Sequence, residues 1–133
     1  MNNLGIVITA IAATIVFIGV FEPGTNILAE KEMPFATVSK DVYGGGKEAK
    51  NVVRPEGDAM FIELHLGEKP TGGYSIEVKG VKEFPDMVIV RTERTHPGNC
   101  AVAQAFTQPF HIIKIPKTSK PIFYEYTDKT AVC

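Results

Sequence analysis

From Phe35 onward the chain is written in short β-rich runs broken by glycine and proline, and that punctuation restricts the possible folds more than any other feature. The runs fall at about 35–43, 49–54, 59–66, 74–81, 87–94, 102–107, 110–115 and 122–127. No unbroken stretch among them carries the 3.6-residue periodicity of a helix. Alternation assigns the inner faces. In Ala59–Leu66, Ile62, Leu64 and Leu66 share a face opposite Glu63 and His65, while Ile76 and Val78 face away from Ser75, Glu77 and Lys79. Each is the pattern of a half-buried strand. Met87–Val90 is apolar on both faces and Phe110–Ile115 nearly so, as central strands are. Runs of this number without crossover helices predict an all-β fold, an antiparallel two-layer sandwich or a barrel-like variant of it.

Charge divides the chain. The 14 basic and 15 acidic residues give a net charge of -1, and all of them follow Phe21. A broadly basic nucleic-acid surface is disfavoured by that balance, so no nucleic-acid partner is expected. Leu4–Phe21 is an uncharged apolar run that as a helix would be about 27 Å long, close to the hydrocarbon thickness of a bilayer. Residues 1–3 lack Lys and Arg, and no Ala-x-Ala step follows the run. Residues 1–21 therefore read as an N-terminal transmembrane anchor, one apolar helix spanning the membrane through residues 4–21, with a cleaved signal segment as the alternative. Residues 22–34 read as a spacer without a fold of its own, and 35–133 as the β domain. A single such segment ahead of a complete domain predicts an extracytoplasmic domain, either membrane-anchored or secreted after cleavage. The oligomeric state is not set by any of these features.

The inventory of reactive side chains is thin. His65, His96 and His111 stand at no metal-ligand spacing, and Ser39, Ser75 and Ser119 lie in no nucleophile-elbow pattern. Acidic residues are scattered singly. The expectation is a non-enzymatic domain with no metal and no cofactor. Gly44-Gly45-Gly46 reads as a hairpin or loop, because a phosphate cradle would need a following helix and a Lys-Ser/Thr pair. Cys100 follows the turn-like Pro97-Gly98-Asn99 and Cys133 could tie a last strand back to it as a disulfide, with free thiols or an intermolecular bridge as the other readings.

Two segments carry recognition chemistry. In Leu66–Tyr74, Pro70 fixes a backbone torsion, Gly72 and Gly73 permit positive φ, Thr71 can bond the local backbone and Tyr74 supplies a ring with a hydroxyl. Such a loop on a rigid sheet is a binding loop; a hairpin turn with an aromatic over its end is the plainer alternative. In Gln104–Lys117, Phe106 and Phe110 flank a Gln-Pro corner and are expected in the core, leaving Gln108 and His111 as the exposed members. Lys114, Lys117 and Lys120 form a basic stripe best taken as a solvated face. The candidate partner-binding residues are Pro70, Thr71, Gly72, Gly73, Tyr74 and Gln108.

Lys69-Pro70-Thr71-Gly72-Gly73-Tyr74 with Ser75–Val78, followed by Ala103–Pro116, resembles the C-terminal domain of the protease complex subunit PrcB family over residues 59–116. The resemblance implies a small extracytoplasmic β domain that associates with or supports a protease, surface-bound or secreted, without itself being proteolytic. Pro70–Tyr74 is also similar, more faintly, to the Pro-Thr-Thr-Gly-Tyr loop of chagasin-like inhibitors of papain-type proteases, whose sandwich is immunoglobulin-like. Gly72 stands where the second Thr would be, and the inhibitors' Arg-Pro-Trp loop is not reproduced because the chain has no Trp. A structural cell-envelope domain without a protease partner is the third reading.

Overall fold

Eight strands make up residues 30–133, the part of the chain that the computed structural model describes: β1 (Lys31–Glu32), β2 (Ala36–Asp41), β3 (Lys50–Glu56), β4 (Ala59–His65), β5 (Ser75–Glu83), β6 (Val88–His96), β7 (Phe110–Pro116) and β8 (Ile122–Thr130). They form two four-stranded sheets, ordered β1-β5-β6-β8 and β2-β7-β4-β3. The expected sandwich is present as two separate layers rather than a closed barrel. It is mixed rather than purely antiparallel, since β8 runs parallel to β6 in unbroken register from Val88↔Ile122 to His96↔Thr130. Parallel neighbours need a crossover, and here β7 supplies it by lying in the opposite sheet.

Three further expectations are corrected. No helix among the described residues is long and apolar enough to cross a membrane, which overturns the spanning helix as a feature of the described fold; the segment it fell on, residues 4–21, lies outside the described residues. The packed chain starts before Phe35, because Lys31 and Glu32 pair with Glu83 and Lys82 of β5 and Met33 is buried. The run at 102–107 forms no strand; only Thr107 bridges, to Lys69. Its small and apolar residues suit a strand, but Ala103 and Thr107 give their backbone bonds to Gly72 and Lys69 instead.

The core follows the alternation. Met60, Ile62 and Leu64 of β4, Ile76, Val78 and Val81 of β5, Val88 and Val90 of β6, and Ile113 and Ile115 of β7 close the space between the layers. In β5 the inward positions change parity after Val78, because Lys79 is an extra residue between the Val78↔Thr92 and Gly80↔Arg91 pairs. Such a bulge shifts which side chains face inward, and here it turns Val81 into the core. A second bulge interrupts β2 at Val38.

His111 sits between these two bulges. It is 2% exposed, which corrects the expectation of an exposed side chain. Its Nδ1 accepts the backbone N–H of Val78 at 2.9 Å, across the sandwich, and its Nε2 lies 2.8 Å from Thr37 Oγ1 on β2. Because Nδ1 must accept, the neutral ring carries its proton on Nε2 and donates it to Thr37. Burial holds the imidazole below its ordinary pKa, with Lys40 adding to the shift and Glu77 opposing it.

Candidate functional site

Three connections gather at one end of the sandwich: 42–49 between β2 and β3, 66–74 between β4 and β5, and 97–109 between β6 and β7. None is a simple hairpin. β2 and β3 occupy opposite edges of one sheet, and each of the other two loops passes between sheets. The Gly44–Gly46 run therefore crosses the end of its sheet rather than closing a two-strand turn.

Hydrogen bonds lock the three loops together. Lys69 and Thr107 exchange backbone bonds at 2.8 and 3.0 Å, Gly72 N–H donates to the Ala103 carbonyl at 2.9 Å, and Thr107 Oγ1 donates to the Thr71 carbonyl at 2.9 Å. Gln108 ties in the third loop: its N–H donates to the Val42 carbonyl and its carbonyl accepts from Gly45 N–H. Its side-chain amide donates to Glu68 Oε2 at 3.0 Å and accepts from Gly44 N–H at 3.3 Å. Gln108 is thus turned inward and engaged at both ends of its amide. Asp41 caps the start of the same loop by accepting from the N–H groups of Val42 and Tyr43.

Close approach explains the glycines. A Cβ on Gly73, at φ +89°, would stand 2.7 Å from both Pro97 Cβ and Val102 Cγ1. A Cβ on Gly45 would fall 2.4 Å from the Gln108 carbonyl oxygen. Only glycine lets these backbones meet. Gly72 differs, since a Cβ there would meet Ala103 no closer than 3.5 Å, an ordinary contact.

The base of the long loop is fastened covalently. Cys100 and Cys133 form a disulfide with Cα atoms 5.7 Å apart, within the normal bridging range. The Cys100 N–H closes a turn on the Pro97 carbonyl, and Ala131 N–H donates to the His96 carbonyl beside it.

Exposure decides which side chains could meet a partner. Phe106 is 64% exposed, and it is followed by Thr107 and Pro109, both buried. This corrects the expectation that both rings lie in the core; Phe110 is half-buried on the outer face of its sheet and stacks on His65. Tyr43 is exposed on the first loop, and Pro70 and Gly73 on the second, while Thr71, Gly72 and Tyr74 are half-buried. The Tyr74 ring lies under Lys69 Nζ, 5.5 Å from its centroid, and walls a cavity of about 200 Å³ with Leu66, Arg94 and Asp128. The expected basic stripe is not one surface: Lys120 turns away to bond Glu83 Oε2 and the Phe84 carbonyl, each at 2.9 Å.

No Asp, Glu, Lys or Arg occurs in Val42–Gly46, Pro70–Tyr74 or Pro97–Pro109. The loop tips are therefore uncharged and present Phe106, Tyr43 and Pro70, while Lys47, Glu48, Glu68 and Lys69 lie along the rest of the first two loops. Sequence reasoning found the second loop and missed Tyr43, Phe106 and Thr107. The absence of charge from Pro97 through His111 was the available signal.

A sandwich whose end loops are tied by hydrogen bonds is a scaffold suited to presenting a binding surface. Residues 60–116 match the family model described as PrcB C-terminal, a non-catalytic structural or binding domain. The match begins in β4 and ends with β7, so it encloses the second and third loops and leaves out the Tyr43 loop, β8 and Cys133. Neither a curated protein nor a solved structure matches the chain.

Proposed function

We propose that the uncharged loop tips dock onto a protease or protease precursor outside the cytoplasm, and that the domain supports that partner rather than cleaving anything itself. The observation that carries the reading is Phe106, a large apolar ring exposed to water immediately before Thr107, which is buried and bonded. Fixing such a ring in advance lowers the ordering cost of binding, and aromatic anchors of this type dominate interface energies. Pro70, Thr71 and Gly73 flank it as the complementary surface; Gln108 acts behind them by holding the loops in register. The disulfide suits an oxidising compartment, and the PrcB match supports a protease as the partner.

The test is capture of peptide-hydrolysing activity from the source cell's extracytoplasmic fraction by the immobilised full chain. Wild type should retain a protease, and Phe106→Ser should lose it while unfolding at an unchanged denaturant midpoint. Undiminished capture by a folded Thr71→Ala/Phe106→Ser double variant would remove these loops from the binding surface. The contacts at Gly72 favour a second reading, inhibition of a papain-type protease, because the Pro70–Tyr74 backbone accepts a Cβ where those inhibitors carry threonine. Papain assayed against the wild type and Gly72→Thr decides it, and no inhibition by either would end that reading.

A further inference from the structure

Among the sheet edges of the described residues, β8 differs from the rest in offering a long edge free of proline and bulges. The β5 edge is bulged at Lys79 and its Val78 N–H is turned inward to His111; β1 covers only its last two residues. The β2 edge is bulged at Val38, and β3 carries Pro55, which has no N–H to offer. β8 is nine residues long, without proline, glycine or bulge, and is the outer strand of its sheet.

Two bonds fix which of its backbone groups face outward. Val88 N–H donates to the Pro121 carbonyl and Ala131 N–H donates to the His96 carbonyl. In a parallel ladder the groups facing one neighbour alternate along the strand. Residues 121, 123, 125, 127, 129 and 131 therefore point to β6. Ile122, Tyr124, Tyr126, Asp128 and Thr130 then direct their N–H and C=O groups away from the sheet.

We propose that this edge pairs with the β8 of a second copy of the chain, antiparallel about a two-fold axis at Thr127, joining two sheets into one across a dimer. A two-fold axis makes strand pairing antiparallel and self-complementary, and the β8 sequence matches itself in that register. Glu125 falls opposite Lys129 of the second copy and Lys129 opposite its Glu125. Tyr126 pairs with Asp128 and Tyr124 with Thr130 through the outward-facing backbone. The Glu125 side chain is 63% exposed, with its ion pair to Arg91 at 3.4 Å, so its carboxylate remains accessible to a second cation. Opposite charges facing across strands stabilise pairing, whereas like charges oppose it. The dimer would use the outer backbone edge of Ile122–Thr130 and the protease-docking surface the loop tips, so substitutions at Glu125, Thr127 and Lys129 test the one and those at Thr71 and Phe106 the other.

Sedimentation equilibrium of the full chain tests it. Wild type should show a reversible monomer–dimer equilibrium. Glu125→Lys should raise the dissociation constant by about tenfold, since two symmetry-related pairs become repulsive, and Glu125→Lys combined with Lys129→Glu should restore it. Thr127→Cys should crosslink to a dimer under mild air oxidation, because facing non-hydrogen-bonded residues stand within bridging distance. Thermal melts confirm that each variant is folded. A wild type that stays monomeric at about 1 mM, or a dimer that neither responds to the charge swap nor crosslinks through position 127, overturns the proposal.

Discussion

Replacing His111 tests the join between the two sheets at a single atom. The ring is buried, and its Nδ1 is the acceptor for the Val78 N–H at the point where β5 bulges. His111→Leu keeps apolar volume but leaves that N–H buried without a partner, which costs about 1–3 kcal/mol. His111→Asn is smaller and more polar, yet its Oδ1 occupies nearly the place of Nδ1 and can accept the same bond. Thr37 decides little, because it is exposed and its hydroxyl can turn to water. The expected order in urea unfolding is therefore wild type, then Asn, then Leu, the reverse of what hydrophobicity alone would give. A Leu variant as stable as the Asn variant would refute the assigned role of the Val78 bond.

The same contact sets a pH dependence. A protonated Nδ1 cannot accept, and burial holds the folded-state pKa below its ordinary 6.5. The unfolded chain then binds the proton first, so the contribution is fully present above about pH 6.5. It is lost as pH falls through that value toward the folded pKa, with a slope of at most about 1.4 kcal/mol per pH unit. His111→Asn should flatten the curve in that window. Parallel curves for the two proteins would show that the ring does not titrate on unfolding.

Gly73→Ala should lose about 2–3 kcal/mol, since it combines a positive φ with two contacts at 2.7 Å, whereas Gly72→Ala should stay within about 1 kcal/mol of wild type; equal costs in chemical denaturation would contradict the loop packing. Reducing the Cys100–Cys133 bridge opens a ring with a sequence separation of 33 residues and should remove up to about 4 kcal/mol. Thermal midpoints with and without a dithiol measure that loss. Limited proteolysis should then open the chain first within residues 101–106, and a first cut elsewhere would show that the bridge does not brace this loop.

The strands were legible because their physics is local. Alternation in Ala59–Leu66 shows Ile62 and Leu64 facing one way whatever lies opposite, and both are fully buried. The apolar text of Met87–Val90 and the nearly apolar text of Phe110–Ile115 predict strands with neighbours on both sides, and β6 and β7 are interior strands of their sheets. The partner of each strand was not local. Nothing in Val88–His96 says that its neighbour, Ile122–Thr130, arrives parallel after a passage through the other sheet. Nor does the text of Lys31–Glu32 show that so short a segment completes an edge.

The loop end divides in the same way. Pro70–Tyr74 announces itself by torsional chemistry, because proline and paired glycines constrain a backbone wherever it goes. Phe106 does not, because a ring in an apolar stretch satisfies the pattern of a buried strand as well as that of an exposed tip. Its exposure follows from Thr107, whose N–H, C=O and hydroxyl are all engaged by the second loop. Once residue 107 is held inward by those three bonds, residue 106 points the other way, as successive side chains in extended backbone do. The decisive residue for the exposed anchor is therefore its buried neighbour. Thr107→Val removes the hydroxyl bond to the Thr71 carbonyl without changing the shape of the side chain, and should loosen the second loop while leaving both sheets intact. Hydrogen exchange at Gly72 and Lys69 reads this directly: faster exchange there with unchanged rates in β4 and β7 is expected, and unaltered exchange at both would show that the loops are not held through Thr107.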